Sequence, residues 1–151
     1  MNAKLLLYGR ALGLGHAEAE DVLQETFLAL LKLEESPRQP EFCVLRAYRN
    51  KSFSLKRTVL RRFRREVKAE SWFETDEVDD EGELIAQREL GKLPPTQREV
   101  IVLKIWQGCT FDEIGRLLGI SPNTAAARYR YGLQKLKKEW KGSAMNELKQ
   151  L

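Results

Sequence analysis

Ligands for metals and partners for disulfides are nearly missing from this chain of 151 residues. Its two cysteines, Cys43 and Cys109, stand far apart, and His16 is the single histidine. A zinc site lacks its ligand set and a disulfide framework is excluded, so a reduced, cytosolic setting is expected. Long apolar runs are missing too. Stretches such as 5–7 and 100–103 fall far short of the roughly 20 residues that cross a bilayer. Residues 1–10 lack an apolar segment of signal-peptide length. There is no phosphate-binding glycine loop and no nucleophile elbow, and His16 reads as a solvated residue of a glycine-rich turn. No catalytic residue, metal or cofactor is expected, which leaves a soluble intracellular protein that binds rather than converts.

What the chain does have is charge, unevenly placed. Lys and Arg total 26 against 22 Asp and Glu, a net charge of +4. Between residues 46 and 68 ten bases face the single acid Glu66, whereas residues 70–83 hold eight acids and no base. The basic block suits a polyanion. Tyr48, Phe53 and Phe63 are interleaved with its charges, a mixture that can stack unpaired bases while holding their backbone. Asn50, between Arg49 and Lys51, supplies an amide that can read a base edge. The acidic stretch has few large apolar residues beyond Trp72, Phe73 and Val78 and reads as a linker.

Glycine and proline punctuate segments that otherwise carry helical spacing, and no stretch alternates long enough for a strand. An all-α fold is expected. The spacing predicts helices over 4–12 and 17–33, the second with Leu23, Phe27, Leu30 and Leu31 as its apolar stripe. Asp21, Gln24, Glu25 and Leu28 share another face of that helix. After a turn at Ser36-Pro37-Arg38-Gln39-Pro40, a third helix turns Leu45, Tyr48, Leu55 and Val59 inward. Beyond the acidic stretch, a short helix over 84–92 precedes a helix started by Pro94 and Pro95, with Val100, Leu103, Ile105 and Trp106 on its buried side.

Residues 110–136 are the most informative. Thr110 with Glu113 forms a capping box, Gly119 stops that helix, and Ser121-Pro122 starts a long basic one running to about 141. A short capped helix, a tight turn and a longer basic helix are the layout of a helix-turn-helix. With Ala125, Tyr129, Leu136 and Trp140 inward, Asn123, Ala126, Ala127, Arg130 and Tyr131 lie outward. Arg130 suits a guanine edge, the alanines allow close approach, and Arg128, Lys135, Lys137 and Lys138 suit phosphates.

Two stretches resemble one known family. Ala19-Glu20-Asp21-Val22-Leu23-Gln24-Glu25-Thr26-Phe27 resembles the core-binding helix of bacterial RNA polymerase sigma factors of the sigma-70 family, in their small extracytoplasmic-function type. Leu93-Pro94-Pro95-Thr96-Gln97-Arg98-Glu99-Val100, then Thr110-Phe111-Asp112-Glu113-Ile114-Gly115 and Gly119-Ile120-Ser121 with Thr124, resembles region 4 of that family. The resemblance covers nearly the whole chain in the family's order. It implies two small helical domains, region 2 at 1–68 and a region 4 helix-turn-helix at 84–151, joined by an acidic linker at 69–83.

The resemblance also implies partners and roles. Asp21, Gln24, Glu25 and Leu28 would dock on the clamp helices of the polymerase beta-prime subunit, with the beta flap as a second polymerase contact. Tyr48, Arg49, Asn50, Lys51, Arg57, Arg61 and Arg62 would meet the minus-10 element, Asn50 at the pocket for a flipped base. Asn123, Thr124, Ala126, Ala127, Arg128, Arg130 and Tyr131 would meet the minus-35 element as duplex. Core polymerase and promoter DNA are the implied partners, with an anti-sigma factor as a further one. Cys43 stands where the family carries a tryptophan, and relatives often have bases at Ala126 and Tyr131. Minus-35 preference is therefore not transferable from a relative. The alternatives are a free-standing helix-turn-helix regulator and a degenerate sigma paralogue that binds without initiating.

Overall fold

The computed structural model describes residues 2–62 and 88–149, and every regular element among them is a helix. The chain divides into two compact units, Met1–Thr75 and Asp76–Leu151. The expected linker at 69–83 and Phe63 lie outside the described residues.

The first unit packs three helices against one another: α1 (Asn2–Ala11), α2 (His16–Leu31) and α3 (Pro40–Arg62). Its core is Leu5, Tyr8, Leu12, Leu14, Ala19, Val22, Leu23, Leu45 and Tyr48. Tyr48 joins all three helices. It is fully buried, its ring lies 6.2 Å from that of Tyr8 on α1, and its hydroxyl donates to the Ala19 carbonyl of α2 at 3.2 Å. Burial pushes its phenol well above the usual tyrosine range. Lys56 of α3 donates to the Leu12 carbonyl just past the end of α1 at 2.7 Å, satisfying an acceptor that has no next turn.

Two expectations for α2 change. Its buried positions are Ala19, Val22, Leu23 and Thr26, a stripe at i, i+3, i+4 and i+7. Phe27 and Leu30 are half-buried, and Leu31 is 81% exposed. Residue 31 falls at i+7 from Gln24 and i+3 from Leu28, which puts it with the polar face. His16 opens α2 rather than sitting in a loop, its Nε2 3.0 Å from Glu20 Oε1 one turn on.

In the second unit residues 88–91 are helical and lead to α4 (Pro95–Ile105), α5 (Phe111–Leu118) and α6 (Pro122–Lys149). The four residues from Val100 to Leu103 are all fully buried, so α4 is covered on every side and is the unit's centre. Pro94 and Pro95 have no N–H with which to continue the preceding turn. Arg98 supplies the missing donors: its guanidinium bonds the carbonyls of Leu90, Gly91 and Leu93 at 3.1, 3.3 and 3.0 Å. The same burial draws the Arg98 pKa down from its ordinary value. Helix α6 runs on to Lys149, beyond the end expected near 141. Gly142 and Ser143 weaken a helix by roughly 1 kcal/mol or less each and do not by themselves stop one.

Candidate functional site

In the first unit Asp21, Gln24, Glu25 and Leu28 are all exposed on one face of α2, as their spacing requires. The structure adds a residue that the spacing argument had turned inward. Leu28 at 58% and Leu31 at 81% exposure extend the acidic patch into an apolar one. The face is thus acidic toward the N-terminus of α2 and apolar toward its C-terminus.

On α3 the expected strand-binding residues separate into three groups. Tyr48 is a correction: its ring has no exposed face, so it acts by holding the three helices and not by stacking a base. Arg49, Asn50 and Arg57 share an outward face with Arg46 and Phe53, and Asn50 and Arg57 are exposed. Arg49 Cζ lies 4.5 Å from the centre of the Phe53 ring, and Arg46 Cζ lies 5.8 Å from that of Phe42. Such stacking fixes the planes of flexible cations. Lys51 turns instead across to α2, where its Nζ meets the Glu25 carbonyl at 3.3 Å. Arg61 and Arg62 close the last turn of α3; their side chains lie outside the described ones.

The helix-turn-helix of the second unit is built from local chemistry. Thr110 Oγ1 accepts the Glu113 N–H at 3.1 Å, while Glu113 Oε1 accepts from the Thr110 hydroxyl at 3.1 Å and from its N–H at 3.5 Å. This capping box starts α5, and Gly119, at φ 70° and ψ 35°, ends it in the left-handed region. The chain then folds back so tightly that a Cβ on Gly115 would sit 2.6 Å from the Ile120 carbonyl oxygen. Ser121 Oγ accepts the Thr124 N–H at 3.1 Å and opens α6. Ala125 faces the core, fully buried. Phe111 packs edge-on against Tyr129 with centroids 5.6 Å apart, holding α5 to α6.

This leaves two adjacent rows on α6. Asn123, Ala127 and Arg130 form one; Thr124, Arg128 and Tyr131 form the other, both at i, i+4 and i+7. Asn123, Thr124, Arg130 and Tyr131 are exposed, and Ala126, Ala127 and Arg128 are half-buried. The Thr124 hydroxyl is already shared with Ser121 at 2.8 Å, so its part is capping as well as contact. Arg130 Cζ lies 5.7 Å from the Tyr131 ring centre. The rows present donors and small side chains on a helix whose length suits a major groove. Among the described residues no group of His, Cys, Asp and Glu is placed to hold a metal, and no helix is long and apolar enough to cross a membrane.

Residues 83–136 match the family described as Sigma-70, region 4. The chain is similar to the RNA polymerase sigma factor CarQ of Myxococcus xanthus, with 46% identity over 48 residues, 32% of this chain and 28% of that protein. The match thus spans little more than a quarter of that relative. Among solved structures the chain is similar to the sigma factor RpoE of Bartonella quintana, determined in complex with the anti-sigma factor NepR. The TM-score is 0.72 at 19% identity, over 93% of this chain and 91% of that one. At that identity the likeness is one of fold.

Proposed function

We propose that this chain, whose residues 83–136 match the family described as Sigma-70, region 4, belongs to the sigma-70 family in its extracytoplasmic-function type and is a promoter-specificity subunit of RNA polymerase. In this reading it binds core polymerase in the cytoplasm, recognises two promoter elements and starts strand separation, with no covalent step of its own. The observation that carries it is the capped helix-turn-helix with an open Asn123, Ala127 and Arg130 row, joined in one chain to a unit whose α2 shows an acidic and apolar face. A regulator that acts on duplex alone has no use for the second feature.

Asp21, Gln24, Glu25, Leu28 and Leu31 dock on a basic and apolar polymerase surface; opposite charge gives fast, registered association and the leucines slow its reversal. Arg49, Asn50, Arg57 and Phe53 receive the unpaired minus-10 strand, whose bases must leave the stack before they can be read. Asn123, Ala127, Arg130 and Tyr131 read the minus-35 duplex, and Arg128 meets phosphate. An anti-sigma factor, such as the one in the Bartonella quintana complex, would compete for these surfaces.

The test is run-off transcription with purified chain, core polymerase and a pool of promoter fragments, beside the Asp21→Lys, Glu25→Lys double variant. Transcripts that depend on the chain and vanish with the double variant are expected. Core binding without transcripts would instead mark a degenerate paralogue, and DNA binding without core binding a free-standing regulator.

A further inference from the structure

Ala127 stands at the centre of the outward face of α6. Residues three and four positions away on either side surround it: Asn123 and Thr124 one turn before, Arg130 and Tyr131 one turn after. All four are exposed, whereas Ala127 is half-buried and ends at a single methyl group, so the larger side chains frame a recess with an apolar floor. Arg130 does not sweep freely past it. Its Cζ lies 5.7 Å from the centre of the Tyr131 ring, and Tyr131 is itself 54% exposed. Successive residues of a helix point about 100° apart, so Arg130 leaves the axis about 60° to one side of Ala127 and Tyr131 about 40° to the other. The attraction of the ring for the cation therefore draws the guanidinium over the line of Ala127, one turn along.

We propose that this arrangement selects a T·A pair beside a G·C pair: the thymine methyl enters the recess on Ala127, and Arg130, with Tyr131 as its positioning residue, takes the guanine edge of the neighbouring pair. This selection rests on the promoter reading and specifies the duplex that the second unit takes. An alanine side chain is an apolar partner for the thymine methyl, and a guanidinium matches guanine O6 and N7 with two parallel donors. The rise from residue 127 to 130 is about 4.5 Å, close to the roughly 3.4 Å between stacked pairs. The two groups thus reach successive pairs. A guanidinium already held against a ring loses less freedom on pairing than one that is not, which turns contact into discrimination.

The full-length chain, with no polymerase present, is used to select from a pool of random duplexes, and the best of them is varied one pair at a time in competition followed by fluorescence anisotropy. A T·A pair adjoining a G·C pair is expected in the selected set. Replacing that guanine should weaken binding about ten-fold, and deoxyuridine in place of that thymine, which deletes the methyl alone, about four-fold. Ala127→Leu, a good helix former that fills the recess, should make thymine and deoxyuridine equal and leave the guanine preference. Tyr131→Leu should cut the guanine preference about three-fold without moving the thermal midpoint, and Tyr131→Phe should restore it, since a phenyl face also holds a cation. In an Arg130→Ala background Tyr131→Leu should change nothing at that pair. Selected duplexes without the adjoining pairs, a methyl effect that survives Ala127→Leu, or a guanine preference untouched by Tyr131→Leu would overturn the proposal and leave the promoter reading standing. A chain that selects no duplex at all would overturn both.

Discussion

At the scale of single residues, the tyrosine and the asparagine two positions apart on α3 differ in burial, the first holding helices together and the second proposed to read a base. Tyr48 is fully buried and spends its hydroxyl on Ala19, whereas Asn50 is exposed. Tyr48→Phe should lower the stability of the chain by about 1 kcal/mol in urea denaturation and leave affinity for minus-10 single strand unchanged. Asn50→Ala should do the reverse, with an unchanged midpoint and weaker strand binding. On α6, Arg130→Ala should cost about 1–3 kcal/mol at one base pair of the minus-35 duplex, measured by competition with single-base variants. An equal loss on scrambled duplex would assign Arg130 to phosphate instead. Arg98 acts in neither way: its guanidinium is engaged by three carbonyls of the segment before α4.

At the scale of elements, the angle between α5 and α6 is fixed by backbone proximity more than by side-chain caps. Thr110→Ala removes one half of a capping box and should cost about 1 kcal/mol in thermal unfolding, with duplex affinity retained. Gly115→Ala forces a carbon against the Ile120 carbonyl, where backbone and not a flexible side chain must give way. That variant should lose duplex affinity well beyond its loss of stability, because the two helices can no longer present the α6 rows at one angle. Comparing the two substitutions by fluorescence anisotropy against the same duplex separates a weaker helix from a misdirected one.

For the whole molecule, salt dependence separates the two proposed nucleic-acid surfaces. A cation that neutralises phosphate on duplex changes the salt slope of log K by about 0.9, and on single strand by about 0.7. Arg128→Ala should therefore flatten the slope for the minus-35 duplex alone, and Arg57→Ala that for the minus-10 strand alone, each measured on the full chain. Much of this was legible in the sequence wherever local chemistry decides: the Thr110 and Glu113 box, the Gly119 stop, the inward Ala125 and the exposed Asp21, Gln24 and Glu25 follow from spacing and capping. What was not legible depends on three-dimensional packing. Leu31 is apolar yet exposed because the described residues of the first unit do not cover it, and Tyr48, turned inward as its spacing predicts, leaves no ring face for a base because α1 and α2 meet over it. The close approach at Gly115 bears also on genetics. A selection for loss of promoter activity across the whole gene will return changes at this codon as readily as at those for Arg130, although the glycine itself has no side chain with which to meet a base.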